Sequence, residues 1–443
     1  MEVTLQEILD ARENRASRQS ELLQQYGKPL LCFTMNIPGP VKNSPLISRG
    51  FSLGLSMLQA QLTGQAILHF EEARPATGCQ AFYVVDLPAL ELKRLAAQLE
   101  DSAPIGRLFD MDVLDADGRK IDREALGLPQ RSCLLCGNPA RICGRSRAHS
   151  VEELQAKTQA LLQETLDKHT AQRIAQSAVQ ALLYEVCTTP KPGLVDRQNS
   201  GSHKDMDIFT FLSSTAALFP YFTECAAIGI RGRDVAAGET FQALRLAGKL
   251  AEQSMFQATG GVNTHKGAIF TLGILCAAAA RLDATNPAAI LETCAAMTKG
   301  ITAKDLQGIT PDSAKTAGQR LYAQYGITGV RGQAEAGFPA VLHTGLPVLE
   351  EGLRQGLSLN DAGCGTLLAL MTAATDTNLI ARSDRETQLA VTEEIAALLK
   401  DTPYPSRETL ALLDAQFQEK NLSPGGSADL LAATYFLHFL KNI

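Results

Sequence analysis

The stretch Gly106-Arg107-Leu108-Phe109-Asp110-Met111-Asp112-Val113-Leu114 alternates apolar and acidic side chains. At a strand's period of two, Phe109, Met111 and Val113 share one face and Asp110 and Asp112 the other. Two carboxylates so placed repel unless a cation lies between them. Hard oxygen ligands suit Mg²⁺, which keeps its remaining sites for water and substrate phosphates. This is a geometry for phosphoryl or nucleotidyl transfer, and its competitor is an edge strand with its acids facing water. Downstream, Cys133, Cys136, Cys143 and His149 could close a tetrahedral zinc site, although the six residues between Cys136 and Cys143 are fewer than in the familiar finger. Buried thiols on packed turns would leave the same pattern. Arg131, Arg141, Arg145 and Arg147 crowd a segment without an acid from Ala125 to Val151, which reads as a solvated face or as a dock for an anionic partner.

A second group of polar residues lies between helical patterns. Lys191 to Met206 holds Lys191, Arg197, His203 and Lys204 with Asp196 and Asp205 in a loop rich in turns. Prolines fix its approach and glycines let backbone amides come close to a ligand, so a binding box explains the mixture better than a plain turn does. Asp207 belongs to the box but also stands where it would cap the helix beginning near Thr210. Gly260-Gly261-Val262-Asn263-Thr264-His265-Lys266-Gly267 opens the most apolar helix, as an anion nest for a polyphosphate or as a glycine-rich cap. Three further islands, Arg331 to Gly337, Asp376-Thr377-Asn378 and Ser423 to Asp429, read singly as caps or turns.

These residues need elements to hold them. The chain has 443 residues, 45% apolar, 20% charged, with a net charge of −6. At roughly 150 residues per domain it should form two or three domains, and no basic run suggests a grip on nucleic acid. Short apolar runs such as Leu30 to Thr34 and Ala81 to Val85 read as strands, with helices over Pro45 to Leu62 and Leu87 to Leu99. Beyond Val151 the pattern becomes helical throughout. We expect an α+β domain over residues 1–165, nucleotidyltransferase-like with a mixed sheet, and an all-α domain over 166–443, without a linker between them. The N-terminus lacks the order of a signal peptide, and the longest apolar stretch, Ala268 to Ala280, falls short of the ~20 residues of a spanning helix. Ten cysteines are too sparse for a disulfide scaffold. A cytoplasmic protein without a membrane partner is expected.

Two resemblances sharpen this reading. Gly-Arg-Leu-Phe-Asp-Met-Asp-Val, the Cys/His run and the early Arg12, Arg15, Arg18, Gln19 segment resemble the phosphoribosyl-dephospho-coenzyme A transferase of the citrate lyase system, over roughly residues 1 to 165. The resemblance implies transfer of a phosphoribosyl-dephospho-coenzyme A unit to a serine of the lyase's acyl carrier (γ) subunit, releasing pyrophosphate. Asp110 and Asp112 would then hold Mg²⁺ against that pyrophosphate, with Arg15, Arg18, Lys42 and Arg107 as candidate substrate contacts. From about residue 170 onward, Thr-Thr-Pro-Lys-Pro-Gly-Leu-Val-Asp-Arg-x-Asn-Ser-Gly-Ser-His-x-Asp-Met, Gly-Val-Asn-Thr-His-Lys-Gly, Asp-Thr-Asn and Ser-Pro-Gly-Gly-Ser-Ala-Asp-Leu-Leu closely resemble triphosphoribosyl-dephospho-coenzyme A synthase. That family joins ATP to 3'-dephospho-coenzyme A and expels adenine. Displacing adenine builds positive charge at the anomeric carbon and needs a base for the attacking hydroxyl. Asp196, Asp205 and Asp207 are the nearest acids, with Mg²⁺ on Asp196 and Asp205. Lys191, Arg197, His203, His265 and Lys266 would offset the triphosphate charge, with Asn199 and Asn263 completing the binding set. Glu185 remains open between site and surface. A non-catalytic assembly factor binding nucleotide and carrier, or a ribosyl hydrolase, would use similar residues.

Overall fold

The computed structural model describes residues 2–441. It divides into two compact units, Met1–Lys168 and His169–Ile443. The division falls inside one helix, Val151–Cys187.

In the first unit, helix α1 (Leu5–Tyr26) begins with a Thr4/Glu7 capping box and ends at Gly27. Strand β1 (Leu30–Met35), helix α2 (Pro45–Gln61), strands β2 (Ile67–Ala73) and β3 (Gln80–Val85), helix α3 (Ala89–Ser102), and strands β4 (Phe109–Leu114) and β5 (Lys120–Ile121) follow. The strands form one sheet in the order β2-β3-β1-β4-β5. Every pairing in it is antiparallel, which corrects the expected mixed sheet. Strand periodicity marks faces but carries no information on the direction of the neighbour. One face, with Leu31, Phe33, Tyr83, Phe109 and Met111, joins a core that includes Phe51 and Leu55 of α2 and Leu92 and Ala96 of α3. Phe33 stacks on Phe51 and meets Phe109 edge-on at 5.2 Å, arrangements worth about 0.5–1.5 kcal/mol each beyond area burial. The other face starts apolar, with Leu30, Cys32, Phe82 and Val84 against Leu22 of α1. It then turns polar at the row Gln80, Thr34, Asp110. A short helix α4 (Ala140–Ser146) precedes α5 (Val151–Cys187).

The second unit is helical. Helices α6 (Ile208–Arg231), α7 (Ala237–Ala258) and α8 (Lys266–Leu282) pack together, and α8 is buried almost throughout from Ala268 to Ala280. Its all-apolar surface is met by α6, α7 and the C-terminal helix Gly425–Leu440, so its composition reflects a core position. Among the described residues no single helix is long and apolar enough to cross a membrane.

Candidate functional site

In the second unit the separated polar motifs converge on one cavity of about 620 Å³, within the range of small-molecule sites. Its lining includes Glu185, Lys191, His203, Asn263, His265, Lys266, Arg331, Asp376, Asn378, Arg382 and Asp429. Of the expected site residues, Lys191, His203, Asn263, His265 and Lys266 are brought together there. Asp196, Asp205, Asp207, Arg197 and Asn199 do not line it.

The reason is local hydrogen bonding. Asp196 is 2% exposed, and both its carboxylate oxygens are taken by its own loop. The Thr189 hydroxyl (2.6 Å) and the Lys191 amide (3.0 Å) donate to one, and the Gln198 (2.7 Å) and Asn199 (3.1 Å) amides to the other. It organises the box and leaves no lone pair aimed at Mg²⁺ or a hydroxyl. Asn199 is tied to Asp414 (2.9 Å), and Arg197 to the Cys187 carbonyl (2.5 Å) and Asn360 (2.9 Å). Asp205 is exposed. Asp207 caps α6, accepting from the Thr210 amide at 2.9 Å, and this bond holds its carboxyl below the usual range. Asp207→Ala should therefore lower stability, as loss of a cap does, and leave the activity of this unit unchanged; thermal unfolding and adenine release read the two effects separately.

The cavity has other acids, which sequence reasoning undervalued. Asp376 caps the helix Thr377–Arg382 and is saturated: the Asn378 and Leu379 amides reach one oxygen, and the Ser427 amide and hydroxyl the other. Glu185, 5% exposed, is ion-paired with Lys191, whose ammonium also donates to the Glu185 carbonyl at 2.8 Å. Asp429 differs. The donor reaching it is the Ala268 amide in the first turn of α8, and it takes no side-chain hydrogen bond or ion pair among the described residues. Burial, then the like charges of Glu185 and Asp376, push its carboxyl well above the ordinary value. Gly267 makes this placement possible, because a Cβ there would lie 1.8 Å from Asp429 Oδ2. The helix mouth expected to cradle phosphate thus holds a side-chain carboxylate as well.

The cations divide similarly. Lys266 pairs with Glu252 at 2.8 Å, Arg331 with Asp305 at 3.2 Å, and Arg382 reaches the Ser202 carbonyl at 2.9 Å. The histidines do not supply charge as expected. His265 is 2% exposed and burial pushes it down to about 3; its Nδ1 meets Ser214 Oγ at 2.7 Å while its buried Nε2 has no protein partner. His203 is lowered by burial and by Arg382, whose guanidinium donates to Nδ1 at 3.0 Å. The proton of neutral His203 therefore sits on Nε2, facing Ser423 Oγ at 2.9 Å. Both are neutral hydrogen-bonding groups at pH 7.

In the first unit the acid pair sits on the polar half of the sheet, with Asp110 opposite Thr34 and Asp112 opposite Cys32. Asp112 pairs with Lys120 at 2.6 Å. Asp110 has no hydrogen bond or ion pair among the described residues. Desolvation, then Asp112 and Glu100, push its carboxyl up, with Lys120 and Arg131 opposing. A protein cation already meets one acid, and a divalent ion fits the uncompensated remainder. Arg15 belongs to the same face: its Nε donates to Gln80 at 3.1 Å, leaving its outer nitrogens for a ligand. Lys42 donates to the Ile37 carbonyl at 2.5 Å, and burial and Arg12 lower its pKa. Two expected contacts are otherwise engaged. Arg18 is bound in bidentate fashion by Glu71 at 2.8 Å, and Arg107 donates to Ser132 Oγ at 2.7 Å and to the Ser132 carbonyl. The ligand atoms of Cys133, Cys136, Cys143 and His149 all lie within 4.8 Å of one another.

Known proteins divide the chain in the same order. Residues 3–165 match the family described as CitX, apo-citrate lyase phosphoribosyl-dephospho-CoA transferase. Residues 171–443 match CitG, ATP:dephospho-CoA triphosphoribosyl transferase. Protein CitXG of Haemophilus influenzae is 38% identical, the alignment covering 99% of this chain and 97% of that protein. Protein CitXG of Leuconostoc mesenteroides subsp. cremoris is 35% identical, covering 98% and 97%. The 2-(5''-triphosphoribosyl)-3'-dephosphocoenzyme-A synthase of Pectobacterium atrosepticum is 38% identical over 64% of this chain and 94% of its own length. With near full-length likeness to two such fusions and both constituent families matched in order, the chain belongs to the CitXG family.

Proposed function

We propose that the chain is a bifunctional transferase. Its helical unit joins ATP to 3'-dephospho-CoA, giving 2'-(5''-triphosphoribosyl)-3'-dephospho-CoA and adenine. Its sheet unit passes phosphoribosyl-dephospho-CoA to a serine of the citrate lyase acyl carrier, releasing pyrophosphate. The observation that carries the first assignment is a cavity whose wall holds one half-buried carboxylate, Asp429, that no side-chain donor reaches among the described residues. In our reading the ribose hydroxyl of dephospho-CoA attacks the anomeric carbon of ATP and gives its proton to Asp429. The C–N bond to adenine breaks, and the base leaves with the bonding pair and gains a proton. Lys191, Lys266, Arg331 and Arg382 counter the retained triphosphate, and the Nε2 of His265 offers one neutral hydrogen bond.

In the sheet unit, we assign Asp110 and Asp112 as the carboxylates for Mg²⁺, which when bound supplies charge neutralisation at the departing pyrophosphate. Arg15 orients the donor's phosphates, and in-line attack by the carrier serine depends on that positioning. A nucleotidyltransferase-like relationship of this unit fits the acid pair. Free thiols throughout the described residues suit a reducing cytoplasm.

Arg141, Arg145 and Arg147 are exposed on and just beyond α4, beside Ile142 at 60% exposure, and suit the acidic surface of an acyl carrier. The test is mass spectrometry of the carrier after incubation with the chain, ATP, Mg²⁺ and dephospho-CoA, with adenine measured in parallel. The wild type should yield both free adenine and a carrier bearing the phosphoribosyl-dephospho-CoA mass. Reversing the three arginines should slow carrier loading about 10-fold or more, through weaker encounter, with adenine release unchanged. Absence of adenine would overturn the synthase assignment, and equal loading by the reversed variant would overturn the docking face.

A further inference from the structure

Residues 127–150 present a puzzle of stability. Across this segment only Cys133 and Cys143 are buried, while Leu135 and Ile142 are 37% and 60% exposed. Apolar burial on this scale cannot order two dozen residues, and short segments in this position are often closed by a metal. The backbone is nonetheless specific. Ser132 and Pro139 form a bridge, the Cys133 amide donates to the Asn138 carbonyl at 2.5 Å, and the Ala140 amide to the Arg131 carbonyl at 2.9 Å. Within this hairpin, backbone N–H groups turn toward sulfur. The Leu135 amide donates to Cys133 Sγ at 3.5 Å, and the Asn138 amide to Cys136 Sγ. Gly137, with φ of 73°, lets the second amide swing inward without a Cβ penalty. Amides aimed at sulfur stabilise thiolates and orient them as ligands.

The remaining two groups are delivered by α4. Cys143 lies on its buried side, and Arg147, at φ of 50°, ends the helix in a left-handed turn that sends His149 back. The Cys136 and Cys143 sulfurs are 3.4 Å apart, and His149 Nε2 lies 3.2 Å from Cys136 Sγ. A zinc tetrahedron, with Zn–S of about 2.3 Å and Zn–N of about 2.0 Å, has edges of about 3.5–3.8 Å. Three thiolates and an imidazole are a zinc donor set, and four protein ligands leave no open position for catalysis.

We propose that Cys133, Cys136, Cys143 and His149 bind one Zn²⁺ in a closed tetrahedral site that fastens residues 131–149 to the start of β4. The fastening is visible on both sides of the hairpin. Arg131 donates to the Phe109 carbonyl (2.6 Å), the Gly106 carbonyl (2.9 Å) and the Arg107 carbonyl (2.8 Å), while Arg107 reaches back to Ser132. Phe109 precedes Asp110. The metal therefore acts as a positioning element for the acid pair; this consequence rests on the transfer reading above, whereas the zinc site itself does not.

The full chain, purified under reducing conditions without chelator, should contain about one zinc per molecule by plasma mass spectrometry. Replacement by Co²⁺ should give the intense visible bands of tetrahedral thiolate cobalt. Cys136→Ser and His149→Ala should lose the metal and slow carrier loading by about 10-fold or more while adenine release is kept, the latter confirming a folded second unit. His149→Cys, which restores four ligands, should regain both metal and loading. Zinc-free wild type, a Cys136–Cys143 disulfide in its place, or full zinc in Cys136→Ser would overturn the site. Metal loss with undiminished loading would overturn the link to β4. Stoichiometric zinc in a wild type that never loads the carrier would overturn the transfer reading and leave the zinc site standing.

Discussion

Asp429→Asn should cripple adenine release. The rate from ATP and dephospho-CoA should fall about 10²- to 10⁴-fold, the usual contribution of a positioned base. Asparagine keeps the shape beside Gly267 but cannot take the hydroxyl proton. Among the cavity acids, Asp376 is saturated by donors and Glu185 is ion-paired with Lys191, so Asp429 is the one that no side-chain partner holds. The carboxyl must be ionised to act, and burial with two neighbouring acids holds its pKa well above the ordinary value. The wild-type rate should therefore decline on acidification at a pH higher than the ~4 of a free aspartate. When the triphosphoribosyl donor is supplied ready-made, the variant should load the carrier at the normal rate. Retention of a tenth of the wild-type adenine rate, or an acid limb at the free-aspartate position, would remove Asp429 from this role.

Asp110→Asn has the opposite signature. Loading should fall about 10²- to 10³-fold, which corresponds to the several kcal/mol that a correctly held metal contributes to charge stabilisation. Adenine release should be untouched. Asp110 is the sharper probe of the pair because Asp112 already has Lys120 at 2.6 Å, so changing Asp112 also frees a lysine. A raised Mg²⁺ requirement for loading, measured by titration, would separate metal binding from simple misfolding of the sheet. Normal loading at low Mg²⁺ would end the assignment.

Much of the scaffold was legible because it depends on local pattern. β1 and β3 are short apolar runs bounded by turn residues, β4 alternates in period two, and α2, α3 and α5 carry helical spacing with recognisable stops. Strand direction was not, since antiparallel and mixed sheets present the same alternation. That Asp110 and Asp112 share one face of β4 was legible for the same local reason. In the second unit, density misled. The crowded stretch from Lys191 to Asp207 looked like the reactive centre, but a tight loop has many amide donors, and Asp196 and Asp207 answer those. The acid left over, Asp429, stands more than two hundred residues away beside an alanine-rich helix. Its motif was visible; its lack of a side-chain partner was not, because that depends on which donors the fold brings near. Arg382 carried no signal at all, since its place in the cavity wall arises from its contacts with Ser202 and His203.

The division inside α5 bears on any attempt to express the two halves as separate polypeptides. Leu162 belongs to the core of the first unit, whereas Ala171, Ile174, Ala178 and Leu182 belong to that of the second. A cut at residue 168 falls within this helix and leaves each fragment with a frayed terminus close to residues it must bury. Durable halves would have to overlap, each carrying its own copy of the middle turns.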